Sequence, residues 1–287
     1  MSTTAVSAHP PLSARTPGTA GRGPGFPRVL LAEWTKLTSL RSRAVIAAAT
    51  VATSGALTSL AANASSTDPG FEPLDSLTSG LMLGQIGTLV LGVLVGTGEF
   101  STGAFRTTFV AVPRRLPVLA AQVVATAAYA LVVSVLAVVA TVLGLLPAAG
   151  SRGIALDLTG DGTPQLLGGM VAFLVAMALV GLAFGSLLRR PVPAVIVTVA
   201  LVLVLPVVLA LASEPADPME ASAAPTPDAM STVVAFLPSE AGMRLVSQGA
   251  VEGAPDLGPG GAGAVLAGWI LLPLAASAVR LRRRDLR

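Results

Sequence analysis

Six stretches of this chain carry no charged residue and run long enough to cross a lipid bilayer: 44–62, 81–98, 116–147, 166–188, 192–212 and 262–279. A helix rises about 1.5 Å per residue, so about 20 apolar residues traverse a hydrocarbon core of about 30 Å. In lipid the backbone has to satisfy its own hydrogen bonds, which makes each run a helix. A barrel would need short strands of alternating polarity, and these runs do not alternate. The third run is the longest, so it is expected to tilt or to continue as a helix beyond the bilayer. The fold class expected is an all-α integral membrane protein with six transmembrane helices.

The charges sort by compartment. Numbered from the N-terminus, the odd segments between the runs are the N-terminal region, the second loop, the fourth loop and the C-terminal tail. They hold 16 of the 18 Lys/Arg residues and, among the acids, only Glu33, Glu99 and Asp285. The even segments hold Arg152 and Arg244 against 12 Asp/Glu. Lys/Arg excess marks cytoplasmic loops, so both termini are expected in the cytosol. A wrong number of spans would scramble this alternation. The sequence pI near 10.5 therefore reflects orientation and contact with anionic lipid rather than nucleic-acid binding. There is no Cys, hence no disulfide and no thiol chemistry, and Lys36 is the single lysine among 17 arginines. That skew, with abundant Ala, Gly and Val, points to a GC-rich bacterial genome of the actinobacterial kind, and the six spans make a multi-pass protein of the bacterial plasma membrane the expected location.

Three regions follow. Residues 1–27, rich in Ser, Thr, Pro and Gly, are expected to form a disordered cytoplasmic tail. The tail lacks the apolar core of a secretory signal, so the first span is expected to serve as an uncleaved insertion signal. Residues 28–43 place Val29, Leu30, Leu31, Trp34, Leu37 and Leu40 at helical spacing with Glu33, Lys36 and Ser39 between them. This reads as an amphipathic helix in the membrane interface, with Arg41 and Arg43 at its end. Residues 44–287 form the six-span domain. Its longest external loop, 213–261, is expected to contain two helical pieces between 231 and 249, broken near Leu237-Pro238. Asp157 and Asp161 resemble a calcium loop only superficially, since the ligand series and terminal Glu are missing. They read as a solvated turn.

Much chemistry is excluded. The single His is His9, in the tail, so a His-based metal site or triad has nowhere to form. No G-x-x-x-x-G-K-[ST] loop exists to cradle ATP phosphates. None of the six runs contains Asp, Glu, Lys, Arg or His, whereas proton-coupled carriers keep an ionisable group near mid-membrane. The polar groups within the runs are Gln85, Gln122, Thr126, Tyr129 and Ser134, expected to bond between helices and alternatively to line a pathway. Gly80/Gly84, Gly92/Gly96 and Gly181/Gly185 suit close helix packing. Pro206 is expected to kink its span or loosen one turn. With no energy source in the chain, transport requires a partner that supplies it.

The second loop is the candidate contact for that partner. Glu99 sits where the second run ends, Phe100, Phe105 and Phe109 recur at helical spacing, and Thr107 and Thr108 are helix-capping residues. Pro113 stops the element before Arg114 and Arg115. The stretch 99–115 resembles the loop of bacterial ABC exporter permeases of the type-2 membrane-domain family, E-[FY]-x-x-G-x-x-R-T-T-x-x-A-x-P-R-R, at every motif position. Glu33, Trp34, Lys36 and Arg41 stand in a segment, 33–42, that is similar to the same family's E-x-x-K-x-x-[ST]-x-R-[ST] helix before span one. The resemblance covers about residues 28–287. It implies a non-enzymatic permease subunit, paired with a second copy of itself, exporting a substrate with ATP-Mg bound and hydrolysed by a separate ATPase subunit seated on loop 98–115. Glu99 and Arg106 would hold the loop's geometry and Phe105 and Phe109 would dock. Two other readings stay open: a non-transporting membrane scaffold or immunity protein, and an ion-coupled carrier.

Overall fold

A glycine and a proline set the first boundary. Gly25 caps helix α1 (Phe26–Ser39), and the proline in its first turn needs no backbone partner there. The helix stops at Leu40, whose backbone is extended at φ −87 and ψ 116, and α2 (Arg41–Ser65) begins at once. The single helix expected over 28–43 is therefore a helix, a one-residue break and the start of a span, with Arg41 and Arg43 on the span. Phe26 and Pro27, assigned to the tail from sequence, belong to the first turn of α1. The computed structural model describes residues 25–101, 115–160, 162–212, 229–246, 255 and 257–283, and every regular element among them is helical.

A 3-10 turn at Pro73–Thr78 leads into α3 (Ser79–Ser101), followed by α4 (Arg115–Ser151) and α5 (Thr163–Leu188). The fifth apolar run is built from α6 (Pro191–Val199), a π-helical turn at Ala200–Val204 and α7 (Leu205–Ala212). Two short helices, α8 (Ala229–Ala235) and α9 (Pro238–Val246), precede α10 (Gly258–Arg283). Six helical stretches are long and apolar enough to cross a membrane: Arg41–Ser65, Pro73–Gly98, Leu116–Ser151, Thr163–Leu188, Pro191–Ala212 and Gly258–Leu281. These coincide with the six runs in the sequence and mark a multi-pass membrane protein. One end of the bundle carries α1, the start of α2 and Arg189, Arg190 and Arg280. This is called the arginine-rich end below; the opposite end, with Asp68, Glu72, Asp75 and Asp157, is called the acidic end.

Small residues hold the centre together. Gly92 and Gly96 of α3 face Gly181 and Gly185 of α5. A Cβ on Gly185 would sit 2.7 Å from the Val93 carbonyl oxygen, and one on Gly92 would collide with the Ala178 carbonyl. Only glycine permits so close an approach of two backbones. Around this seam Leu77, Leu81, Leu89, Leu145, Met170, Phe173, Leu174 and Met177 form the largest apolar core. The buried face of α2 is polar and small (Thr50, Ser54, Thr58, Ala62), while Val45 and Leu60 point outward. A helix in lipid gains little by burying leucine, so packing assigns its inner face to side chains that allow close contact. Some of these buried hydroxyls bond locally, whereas those of Ser54 and Thr58 have no partner among the described residues. Thr50 donates to the Ile46 carbonyl at 2.8 Å and Thr88 to the Gly84 carbonyl at 3.1 Å.

Helix α4 is 37 residues long and runs unbroken through Pro147, which answers the excess length of the third run by extension of one helix. Pro206 has the loosening effect expected of it. It has no N–H to give the preceding turn, and the Leu205 N–H bonds the Ala200 carbonyl across a wider π-helical turn. At the arginine-rich end Arg189 closes α5 in the left-handed region at φ 60, its N–H reaching the Gly185 carbonyl at 2.9 Å. Ser277 and Arg280 of α10 tie to the same helix end, donating to the Ser186 and Leu187 carbonyls at 3.2 and 2.7 Å.

At the acidic end the break expected near Leu237-Pro238 is present between α8 and α9. The pair lies against α10 and the start of α5. The Trp269 indole donates to the Phe236 carbonyl at 2.8 Å, and Trp269 lies eleven residues into α10, about 16 Å along the helix from its start. Gly242 rests on the Phe173 ring and Gly169 on the Leu245 backbone. Helix α9 then returns toward the start of α10, where Arg244 donates to the Pro255 carbonyl at 2.8 Å.

Candidate functional site

Helix α1 turns one stripe inward: Val29, Glu33 and Leu37, at spacings of four, are the buried residues of the helix. Val29 packs with Val118 and Ala121 of α4. Leu37 packs with Leu91 and Val95 of α3, Ala125 of α4 and Leu182 of α5. Glu33 lies between these two apolar clusters and is 5 % exposed. The sequence pattern placed Glu33 on the polar side of an interfacial helix. The structure puts it on the protein-facing side, with Leu31 and Leu40 outward. The reason is charge pairing. An isolated buried carboxylate costs several kcal/mol, and here the Lys36 ammonium donates to Glu33 Oε1 at 2.6 Å. Lys36 itself is half-exposed, its stem bridging from the interior to the surface.

Arg43 completes the group. It is 9 % exposed, and its Nη1 donates to the Lys36 carbonyl at 2.7 Å. That carbonyl lies in the last turn of α1, where acceptors lack helical partners, so Arg43 of α2 staples α1 to the span across the break at Leu40. Glu33 and Tyr129 both lie within electrostatic reach of the same guanidinium. Trp34 meets Tyr129 edge-on, with ring centroids 6.3 Å apart at 70°, a contact worth about 1 kcal/mol beyond its burial. Gln122 of α4 donates to the Val95 carbonyl of α3 at 2.9 Å, so it bonds between helices as the sequence led one to expect. On the other side Arg43 reaches the last turns of α3: a Cβ on Gly98 would lie 3.4 Å from its Nη2.

Two groups of residues that are separate in sequence are thus one cluster. Glu33, Trp34 and Lys36 from α1 meet Tyr129 from α4, with Arg43 between them and the foot of α3, and Gln122 of α4 bonds Val95, which packs in the same apolar cluster as Leu37 and Tyr129. Arg41 stays exposed and takes no part. Gln85 and Pro206 lie elsewhere. Gln85 is buried with its Oε1 unpartnered, and Thr126 and Ser134 of α4 likewise have buried hydroxyls without a partner, so interhelical bonding within the spans falls to Gln122 and Ser277 rather than to all of these. Glu99 and Phe100 are on the last turn of α3 and Arg115 opens α4; their side chains, and all of Phe105, Arg106, Thr107, Thr108, Phe109, Pro113 and Arg114, lie outside the described residues. Arg43 is the residue that sequence reasoning missed. Its signal was a cation at the very start of an apolar run, seven residues after Lys36 and ten after Glu33, beyond the reach of a single-helix pattern.

At the acidic end Asp157 closes its turn by accepting from the Thr159 N–H and hydroxyl and the Gly160 N–H, at 3.0, 3.0 and 2.9 Å. Those bonds hold the carboxyl below its ordinary value. The turn is self-contained, and Asp161 lies outside the described residues.

No family model matches the chain, and no curated protein matches it.

Proposed function

We propose that the chain is the membrane-spanning permease subunit of an ABC-type exporter, working with a separate ATPase that docks on loop 98–115. The observation that carries this reading is the cluster of Glu33, Lys36, Arg43 and Tyr129 at the arginine-rich end, with the Gln122–Val95 bond beside it. It fastens α1, α2, α3 and α4 into one block, and α3 and α4 are the two helices between which loop 98–115 runs. A force applied to that loop therefore reaches four helices together rather than one. Charge segregation supports a cytosolic position for this end, where an ATPase has access to nucleotide.

In this reading ATP-Mg binds to the partner, not to this chain, and two permease copies pair with two ATPase copies. Closure of the ATPase dimer pulls on loop 98–115, the fastened block of α1 to α4 moves as a unit, and the spans change the side to which they open. Glu99 and Arg106 set the shape of the loop, while Phe105 and Phe109 seat it. Lipid surrounds the spans of a bacterial plasma-membrane protein. The resemblance of 33–42 and 99–115 to type-2 ABC exporter permeases supports each of these assignments.

The experiment is affinity purification from the native host in detergent after crosslinking, with mass spectrometry of the co-purifying chains. Recovery of an ATPase bearing G-x-x-x-x-G-K-[ST] with the wild type, and its loss in Arg106→Glu or Phe105→Asp at unchanged permease yield, is expected. An ATPase that stays bound to both variants removes the docking role, and no ATPase at all moves the assignment to a membrane scaffold.

A further inference from the structure

The positive-inside pattern has two exceptions, Arg152 and Arg244, and their surroundings differ. Arg152 is exposed in the turn after α4, whereas Arg244 is half-buried on α9. It forms the rim of a cavity of about 570 Å³ between the first turns of α5, the end of α9 and the first turn of α10. Gln165, Gly168 and Ala172 make its α5 wall, with Val246 and Pro259 opposite. Among the described residues no acidic side chain lines it; Glu240, one turn back on α9, is within electrostatic reach of Arg244.

The Arg244 side chain is anchored through one N–H, to the Pro255 carbonyl at 2.8 Å. That fixes the guanidinium at the rim and leaves most of its donor fork for a ligand. A cation retained at the end where acids prevail, and held out of free solvent, calls for a counter-charge. The fork geometry favours an oxyanion able to accept two parallel N–H bonds, of which phosphate is the best match. The wall below the rim selects the rest of the ligand. From Gln165 to Ala172 it runs about 10 Å along α5 and passes from an amide to exposed Gly168 and Ala172, without a charge. Its polarity therefore falls from headgroup to hydrocarbon in the order that a lipid does. A Cβ on Gly168 would touch nothing within 4 Å, so this stretch of wall is open.

We infer that this crevice seats an anionic phospholipid of the leaflet at the acidic end, its phosphodiester on Arg244 and Gln165 and one acyl chain along Gly168 and Ala172. The site is distinct from the cluster at the arginine-rich end and does not depend on an ATPase partner. A bound lipid there would also brace α9 against α5 and α10, the three elements that line the crevice.

The test uses the full chain purified in mild detergent and titrated with phosphatidylglycerol or phosphatidylcholine, with retained lipid read by native mass spectrometry. The wild type is expected to hold phosphatidylglycerol about tenfold more tightly than phosphatidylcholine, a difference of about 1.4 kcal/mol. Arg244→Gln should abolish that preference and Arg152→Gln should keep it. Gly168→Leu, which fills the open wall and leaves Arg244 in place, should weaken both lipids. It serves as the second variant should Arg244→Gln fail to fold. Equal retention of the two lipids by the wild type, or undiminished retention by Gly168→Leu, overturns the assignment. Displacement of phosphatidylglycerol by millimolar inorganic phosphate, with Gly168→Leu silent, would make it a site for free phosphate instead.

Discussion

Glu33 occupies a position that its neighbours on the stripe, Val29 and Leu37, fill with aliphatic carbon, and it is tolerated because Lys36 and Arg43 are at hand. Arg43 in turn has two duties, stapling the Lys36 carbonyl and facing the Glu33 carboxylate. Arg43→Met should therefore cost about 2 kcal/mol, the loss of a buried hydrogen bond from a charged donor, seen as a lower thermal midpoint in detergent. In the double variant with Glu33→Gln the cost should be smaller than the sum of the two single costs, because the single Arg43 variant leaves the Glu33 carboxylate with less compensating positive charge, whereas the neutral amide does not need it. Additive midpoints would mean that the two groups do not sense each other. Of this cluster the sequence showed the separate residues but not their meeting. Helical spacing told which residues of α1 are apolar, yet the break at Leu40 reset the phase, so Arg43 could not be placed on the same side as Glu33 until α2 had a direction. Glu240 offers a second residue-scale test. Burial pushes its carboxyl above the ordinary value of 4.5, against the opposing pull of Arg244. The folded chain thus holds this proton more tightly than the unfolded chain. The stability due to neutral Glu240 is full below about pH 4.5 and is lost as pH rises through the raised folded value. Glu240→Gln should raise the thermal midpoint near neutral pH and match the wild type at about pH 4. A lower midpoint for the variant at neutral pH would show that attraction to Arg244 outweighs burial.

At the level of elements, the sequence was most informative where backbone chemistry decides and least where packing does. Pro206 loosened its turn and Leu237-Pro238 broke the α8–α9 pair for the same reason: a missing N–H acts wherever the helix lies. Where α9 would go was hidden, because an apolar face says that it must be covered but not by what, and the cover proved to be Phe173 and the start of α5. The glycine pairs were legible as close contacts, and their partners are specific. Gly92 lies so tightly on the Ala178 carbonyl that any side chain forces α3 and α5 apart, while Gly263 of α10 faces open space. Gly92→Val should abolish recovery of a monodisperse protein, whereas Gly263→Ala should leave it unchanged or slightly stabilised by its better helix propensity, worth up to about 1 kcal/mol. Size-exclusion profiles of the two variants decide this, and a normal profile for Gly92→Val would mean that the α3–α5 seam is looser than drawn.

For the molecule as a whole, the number of spans was written in the apolar runs, and their direction in the charges between them. The first is visible in the helices. The second is a statement about a membrane, and it has a clean test because the chain contains no Cys. Single cysteines can be placed without removing any native thiol. Ser39 and Thr67 are both exposed, one at the end of α1 beside the arginine-rich end and the other just beyond α2 at the acidic end. They lie on opposite sides of one span, 41–65, so no other helix intervenes in the comparison. If the arginines face the cytosol, a membrane-impermeant maleimide applied to intact cells labels Thr67→Cys at once and labels Ser39→Cys only after the cells are opened. The reverse order would put the buried cluster and loop 98–115 outside the cell. There a nucleotide-driven partner has nothing to bind, and the exporter reading would fall while the helical bundle stood unchanged. Labelling of both in intact cells would mean that segment 41–65 does not cross the bilayer. That result would fail the fold at its first span, and the charge alternation would lose the register from which the orientation is read.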